Sequence, residues 1–174
     1  MARRRVVEEA LGMALPEAWY RFGREYGRGS FETRSGLTVS LSILSPFAKD
    51  FLKTVDEWCE GYRGLKAMRT RRAFPYEVFP TRPGLLFCGS GERRALFWLT
   101  KGAPDDWPLV MLDPDDRFHS VRTGLPGFLL DLFEGRSDCF GGDWDADWFR
   151  ANRGTFIFRP ARPRPSAMRG DSTA

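Results

Sequence analysis

The chain has 174 residues and a formal net charge of +4, with 42% hydrophobic and 29% charged residues. This length fits one folded domain, and no apolar run reaches the roughly 18 residues of a membrane-spanning helix. The N-terminal residues are charged without an apolar segment, so no secretory signal is predicted. Cys59, Cys88 and Cys139 form no paired motif, which favours reduced thiols in the cytoplasm over a disulfide framework or a zinc site.

The excess positive charge is concentrated at the two ends of the chain. Arg3, Arg4 and Arg5 lie at one end, and residues 159–174 contain four arginines and one aspartate. The body between them, residues 6–158, is therefore slightly acidic. A nucleic-acid-binding domain usually carries a basic face on its folded body, so we expect nucleic-acid binding, if any, only through the basic tail.

The first two predicted elements are helices. Residues 6–11 have the apolar spacing of a short helix. Residues 15–26 follow, with a proline in the first turn, where its missing N–H costs nothing. Trp19, Phe22 and Tyr26 lie at helical spacing on one face of this second segment. We therefore expect these three aromatic side chains to enter the core.

The middle of the chain is predicted to be rich in strands. Alternation of apolar and polar residues predicts one strand over residues 37–44. A helix is expected to begin at Pro46 and to end near Gly61. Two hairpins follow, over residues 85–99 and 108–121, with Gly- and Asp-rich turns. A four-stranded meander is the simplest topology for these hairpins.

The C-terminal third is predicted to contain one helix and one strand. Residues 128–133 have a helical apolar pattern that Gly135 ends, and residues 155–158 have the composition of a final strand. Residues 159–174 are rich in Pro, Arg, Ser and Ala without an apolar pattern, so we expect a disordered tail there. The sequence thus predicts one domain over residues 1–158.

Motifs for catalysis, cofactors and metals are weak throughout the chain. His119 is the only histidine, so a histidine-based triad or metal cluster has few possible members. The run from Asp143 to Asp147 begins like a calcium loop but lacks the glycine and the glutamate that such a loop requires. We therefore expect a protein that is not an enzyme and that binds neither a cofactor nor a metal.

Three motifs in the sequence resemble those of the SUKH superfamily, which includes fungal cell-wall assembly regulators of the Smi and Knr type and many bacterial immunity proteins. They are a helix with a Leu-Pro start and a Gly-Arg-Gly end, an apolar strand ending in Gly before an aromatic strand, and a Phe-x-x-x-Leu helix. In this chain the motifs are residues 15–29, 85–89, 96–98 and 128–132. The resemblance covers residues 6–135.

The resemblance implies an α+β fold, with a twisted antiparallel sheet of about five to six strands and helices packed around it. It also implies binding rather than catalysis. Bacterial members often neutralise a cognate toxin, frequently a nuclease or a deaminase delivered between competing cells, so the expected partner is a toxin domain. Two alternatives stay open: a scaffold or regulatory module that recruits proteins without a toxin, and a nucleic-acid-binding protein.

Two acidic clusters that contain tryptophan are the candidate partner-binding surface. Carboxylates steer a basic partner, and an exposed tryptophan supplies an apolar anchor. The same residues are also typical of solvated turns, in which aspartate bonds the backbone. The first cluster comprises Asp105, Asp106, Trp107, Asp113, Asp115 and Asp116. The second comprises Asp143, Trp144, Asp145, Asp147 and Trp148.

Overall fold

The computed structural model describes residues 2–27, 29–36, 38–39, 41–68, 74–91, 93–136 and 146–160. Within these ranges no helix is long and apolar enough to span a membrane. The elements in chain order are α1 (Ala2–Leu11), α2 (Glu17–Glu25), β1 (Gly29–Thr33), β2 (Thr38–Val39), β3 (Ser42–Ile43), α3 (Phe51–Met68), β4 (Leu85–Gly91), β5 (Arg94–Leu99), a 3-10 turn (Pro104–Asp106), β6 (Leu109–Leu112), β7 (Phe118–Val121), α4 (Gly124–Phe133), α5 (Ala146–Ala151) and β8 (Phe156–Pro160).

The strands form two antiparallel sheets with helices packed around them, which confirms the predicted α+β class. The larger sheet has the order β3-β4-β5-β6-β7, so each strand pairs with its neighbour in sequence. The predicted four-stranded meander is correct for β4 to β7, and β3 adds a fifth strand at its edge. A second sheet of order β2-β1-β8 was not predicted.

The strand predicted over residues 37–44 is divided between the two sheets. Thr38–Val39 pairs with β1, whereas Ser42–Ile43 pairs with β4. Alternation indicates an extended backbone and which side chains share a face, but it carries no information on the pairing partner. The single predicted strand is therefore two short strands that connect the sheets.

The third helix differs from the prediction at both ends. Residues 46–50 form turns, and the helix begins only at Phe51. It then continues through Gly61 to Met68. A glycine usually ends a helix by adopting a left-handed conformation, and Gly61 does not have a positive φ. The glycine is therefore tolerated inside the helix instead of ending it.

Helices cover both faces of the five-stranded sheet. Trp19 of α2 lies 6.2 Å from Trp98, and Tyr62 of α3 lies 5.8 Å from Phe97, measured between ring centroids. Phe97 and Trp98 are consecutive residues of β5, and successive strand residues point to opposite faces. The core is therefore layered, with α2 on one side of the sheet and α3 on the other.

The last described strand reaches into the predicted tail. Strand β8 ends at Pro160, so Arg159 and Pro160 belong to the three-stranded sheet. Arg159 Nε also donates to Glu32 Oε2 of β1 at 3.0 Å. The rest of the predicted tail, residues 161–174, lies outside the described residues.

Candidate functional site

The first acidic cluster is divided between the two ends of strand β6. Asp105 and Asp106 lie in the 3-10 turn before the strand, whereas Asp115 and Asp116 lie in the turn after it. A strand of four residues is about 13 Å long. The two pairs of carboxylates therefore do not form one patch.

Trp107 is buried, contrary to the expectation of an exposed anchor. Its indole Nε1 donates to the carbonyl of Gly102 at 3.2 Å, which closes the connection between β5 and β6. An interface anchor contributes by losing exposed apolar area to its partner. Because Trp107 has almost no exposed area, its role is to hold this loop together.

Asp113 is also buried, with 5% of its surface exposed. Its Oδ1 accepts hydrogen bonds from the backbone N–H groups of Asp115 and Arg117 at 2.8 and 2.9 Å, and its Oδ2 lies 2.9 Å from Nε2 of His119. Burial raises the pKa of Asp113, but the hydrogen bonds from His119, Arg117 and Asp115 outweigh burial, so the pKa lies below its ordinary value. Asp113 therefore organises the turn after β6 and is not a surface contact.

Asp105 has a structural contact as well. Its Oδ1 accepts the backbone N–H of Glu17 at 2.7 Å, across 88 residues of sequence. Glu17 is the first residue of α2, and Pro16 before it supplies no side-chain cap. The first N–H groups of a helix have no partner within the helix, and a negative charge there is favourable. Asp105 therefore caps α2 from a distant loop.

Replacing Asp105 with Ala is expected to lower the free energy of unfolding by about 1 kcal/mol, the usual value for a lost helix cap. Asp106→Ala is the matched control, because the carboxylate of Asp106, next to Asp105, caps no helix in the described part of the chain. We expect this control to change the free energy of unfolding by less than about 0.5 kcal/mol. Urea unfolding followed by circular dichroism measures both. Equal losses in the two variants would contradict the capping role.

Most of the second acidic cluster falls outside the described residues, namely Asp143, Trp144 and Asp145. Asp147 lies in the first turn of α5, where its carboxylate is exposed and pairs with Arg150. An exposed pair of this kind contributes little to stability. Asp147 thus lies at the surface, where its charge is partly compensated by Arg150 of its own helix.

Trp148 belongs to an aromatic group between α5 and β8. Its ring lies 5.1 Å from Phe149 and 5.9 Å from Phe156, both edge-on. Phe149 is buried, and Trp148 is only partly exposed. The side chain therefore supports the sheet, although one part of it still faces solvent.

An aromatic groove that was not predicted lies between α2, α4 and the three-stranded sheet. Its volume is about 950 Å³. Helix α2 forms one wall and α4 the other, while strands β1 and β8 form the floor. The apolar residues that define this aromatic groove are Phe22, Tyr26, Phe31, Leu130, Phe133 and Phe158.

A continuous series of ring contacts runs from one wall of the aromatic groove to the other. Phe22 lies 4.9 Å from Tyr26, and Tyr26 lies 5.2 Å from Phe158. Phe158 lies 5.3 Å from Phe31, which lies 4.6 Å from Phe133. Each such pair contributes about 0.5–1.5 kcal/mol beyond its buried area. The rings therefore hold one another in place before any partner arrives.

Two glycines make this arrangement possible. Gly27 has a φ of 65°, which ends α2 in the left-handed region. Gly29 pairs with Pro160 in the sheet, and a Cβ on Gly29 would lie 2.3 Å from the carbonyl oxygen of Arg159. Only a glycine at that position lets β8 lie against β1. Gly27 and Gly29 of the first motif therefore bring Phe158 against Tyr26.

Two apolar side chains stand exposed on opposite walls of the aromatic groove. Tyr26 is 45% exposed and Leu130 is 53% exposed. Trp19 and Phe22 are buried as expected, but the expectation that Tyr26 enters the core is wrong. Exposed apolar residues beside an open concave surface are typical of binding sites. The end of the aromatic stripe on α2 thus lies at a surface.

The two described cysteines lie away from the aromatic groove. Cys59 and Cys88 are buried and do not line the aromatic groove. Burial raises the pKa of the Cys59 thiol to about 11 and that of Cys88 well above its usual value, so both are protonated at neutral pH. Among the described residues, no group of three His, Cys, Asp or Glu side chains is placed to hold a metal ion. The aromatic groove is suited to apolar contact.

Comparison of the chain with protein-family models, with curated proteins and with solved structures gives no match in any of the three. The SUKH resemblance therefore depends on the sequence motifs alone. In the structure these motifs correspond to α2 with the start of β1, the β4–β5 pair and α4. The functional argument accordingly depends on the aromatic groove and the residues around it.

Proposed function

We propose that this chain is a non-enzymatic protein-binding module whose partner occupies the aromatic groove, and that this partner is a cognate toxin domain neutralised by direct binding. The observation that supports binding is the exposure of Tyr26 and Leu130 on opposite walls of an open groove of about 950 Å³. The SUKH resemblance supports the choice of a toxin. The module is proposed to act in the cytoplasm.

The aromatic groove has the properties of an interface centre. Tyrosine and other aromatic residues are enriched among the residues that dominate binding energy. Because Phe22 and Phe158 hold the Tyr26 ring on both sides, little side-chain freedom is lost when a partner packs against it. Charged residues of α2 surround the apolar centre, as the polar rim of an interface does.

Neutralisation by such a module requires no chemical step. A partner seated between α2 and α4 would have its own active site or substrate path covered by the bound module. Affinity and geometry alone then determine protection. This mechanism predicts that the contacts of the aromatic groove, and not any proton-transferring group of this chain, control activity.

Leu130→Glu is expected to weaken partner binding by at least about tenfold, because the carboxylate would be buried against apolar atoms of the partner in the complex. The partner to use is the product of the gene next to that of this chain. Growth of cells that co-express the two proteins tests neutralisation, and isothermal titration calorimetry measures affinity. Rescue by the unaltered chain and its loss with Leu130→Glu are the expected results.

Val6→Glu is the matched control. Val6 is 48% exposed on α1, close to the exposure of Leu130, and does not line the aromatic groove. Binding by this variant is expected to be unchanged, and urea unfolding checks that both variants fold. Full affinity of Leu130→Glu would overturn the proposal for the groove. Groove-dependent binding of a product that does not impair growth would favour the scaffold alternative.

A further inference from the structure

We infer that the partner segment entering the aromatic groove is acidic as well as apolar, and that its carboxylates meet Arg21 and Arg24 of α2. This inference rests on the proposed function, since it names the chemistry of the partner at that site. Both arginines line the aromatic groove. They are three residues apart on one helix, which places them on neighbouring positions of the same face.

Two acidic residues of the groove already have partners within the chain. Glu17 Oε2 accepts a hydrogen bond from Arg4 Nη1 at 2.7 Å. Asp105 Oδ1 accepts the backbone N–H of Glu17 at 2.7 Å, where the positive end of α2 also faces it. A basic partner would have to compete with these contacts. The charge of Glu17 is therefore compensated by Arg4, and Asp105 is held at the first residue of α2, away from Tyr26 at the other end of the helix.

The two arginines that line the groove form weaker contacts within the chain than Glu17 and Asp105 do. The side chain of Arg21 is 78% exposed, and its Nε lies 3.9 Å from Glu17, which Arg4 holds at a shorter distance. Arg24 is exposed, and no carboxylate of the described residues forms an ion pair with it. Guanidinium groups bind carboxylates with two parallel hydrogen bonds when geometry allows. These two side chains are thus available to an incoming acidic residue.

One further acid, Glu25, also lines the groove. It is exposed, and none of the described residues forms an ion pair with it. At the Tyr26 end of α2, the carboxylate of Glu25 stands against the guanidinium groups of Arg21 and Arg24, whereas Asp105 lies at the other end of the helix, beside Glu17. The rim beside Tyr26 is therefore positive on balance. Charge at an interface rim mainly governs partner choice and association rate.

The inference reverses the charge expected from the acidic clusters. Those clusters would attract a basic partner, but Trp107 and Asp113 are buried and Asp105 caps a helix. At the aromatic groove, an apolar residue of the partner would pack between Tyr26 and Leu130 while acidic neighbours reach α2. A short segment with Leu, Phe or Trp beside Asp or Glu has this chemistry.

Selection from a display library of random 12-residue peptides tests the inference. The full chain is the bait, and peptides that also bind the Leu130→Glu variant are discarded, so that only groove-dependent binders are sequenced. These binders are expected to combine apolar residues with an excess of Asp and Glu. The double variant Arg21→Glu, Arg24→Glu, used as bait in the same way, is expected to select Lys and Arg instead.

Fluorescence anisotropy with the most enriched labelled peptide then measures affinity. The double variant is expected to bind that peptide at least about tenfold more weakly than the wild type. Lys53→Glu is the control, because Lys53 is exposed on α3 and does not line the groove; its affinity is expected to stay within about twofold.

The outcomes separate the inference from the proposal on which it rests. Groove-dependent peptides that are neutral or basic would overturn the acidic partner and leave the groove as a binding site. Acidic peptides whose affinity is the same in the double variant would also overturn the contact with Arg21 and Arg24. Selection that yields no groove-dependent peptide would overturn the inference and count against the groove itself.

Discussion

Replacing Trp19 with Ala is expected to lower the free energy of unfolding by about 3–5 kcal/mol, the usual range for a buried aromatic residue. The Trp19 ring is completely buried and lies 5.4 Å from Phe51 and 6.2 Å from Trp98. Its Nε1 donates to the carbonyl of Leu44 at 2.6 Å. The substitution therefore opens a cavity and also leaves a buried carbonyl without its donor. Urea unfolding followed by far-UV circular dichroism measures the loss.

Two further variants of α2 serve as comparisons. The first separates the lost hydrogen bond from the cavity, and the second tests the exposed end of the helix. Trp19→Phe keeps a large ring but removes the donor, so we expect a smaller loss of about 1–3 kcal/mol. Tyr26→Ala removes a ring that is already partly exposed, and we expect a loss of about 1 kcal/mol. A loss with Tyr26→Ala as large as that with Trp19→Ala would contradict the division of α2 between core and groove.

The elements that were predicted correctly are those specified by nearby residues. Helix α2 has a proline directly before its first residue and a glycine with positive φ after its end, and its apolar residues repeat at helical spacing. The β4–β5 and β6–β7 hairpins have short turns between apolar segments, and each strand of the meander pairs with the next in sequence. Such local patterns determine both the element and its neighbour, so the sequence suffices.

The three-stranded sheet could not be predicted in this way. Its central contact joins β1 to β8, and the Arg159–Glu32 pair spans 127 residues. Strand β1 has only five residues and begins with a glycine. Such a short segment is typical of a loop when it is judged from sequence alone. Because the floor of the aromatic groove consists of these strands, the candidate site was missed for the same reason.

The acidic clusters show a second limit of sequence reasoning. Aspartate in a turn can be solvated, can cap a helix or can hold a buried hydrogen-bond group, and composition does not distinguish these roles. Asp105 caps a helix 88 residues earlier in the chain, whereas Asp113 bonds backbone groups two and four residues later. Of these two residues, Asp113 is recognisable from its neighbours as a turn residue. Its burial cannot be recognised in that way.

Replacing Asp113 with Ala is expected to lower the free energy of unfolding by about 2–4 kcal/mol at neutral pH, because several partly buried donors lose the same charged acceptor. The donors are the amides of Asp115 and Arg117 and, when protonated at Nε2, the imidazole of His119. Asp115→Ala is the matched control in the same turn, since its carboxylate is exposed. We expect that control to change the free energy by less than about 0.5 kcal/mol.

The pH dependence of the stability difference between wild type and Asp113→Ala tests whether the ionised carboxylate causes that difference. The pKa of Asp113 is lower in the folded protein than in the unfolded chain, so the folded state is stabilised by the ionised form. This contribution is complete above the ordinary aspartate pKa of about 3.9 and is lost as pH falls through the folded pKa. The difference between wild type and Asp113→Ala should therefore shrink below about pH 4. A difference that stays constant into acid would mean that lost packing, and not the buried charge, destabilises the variant.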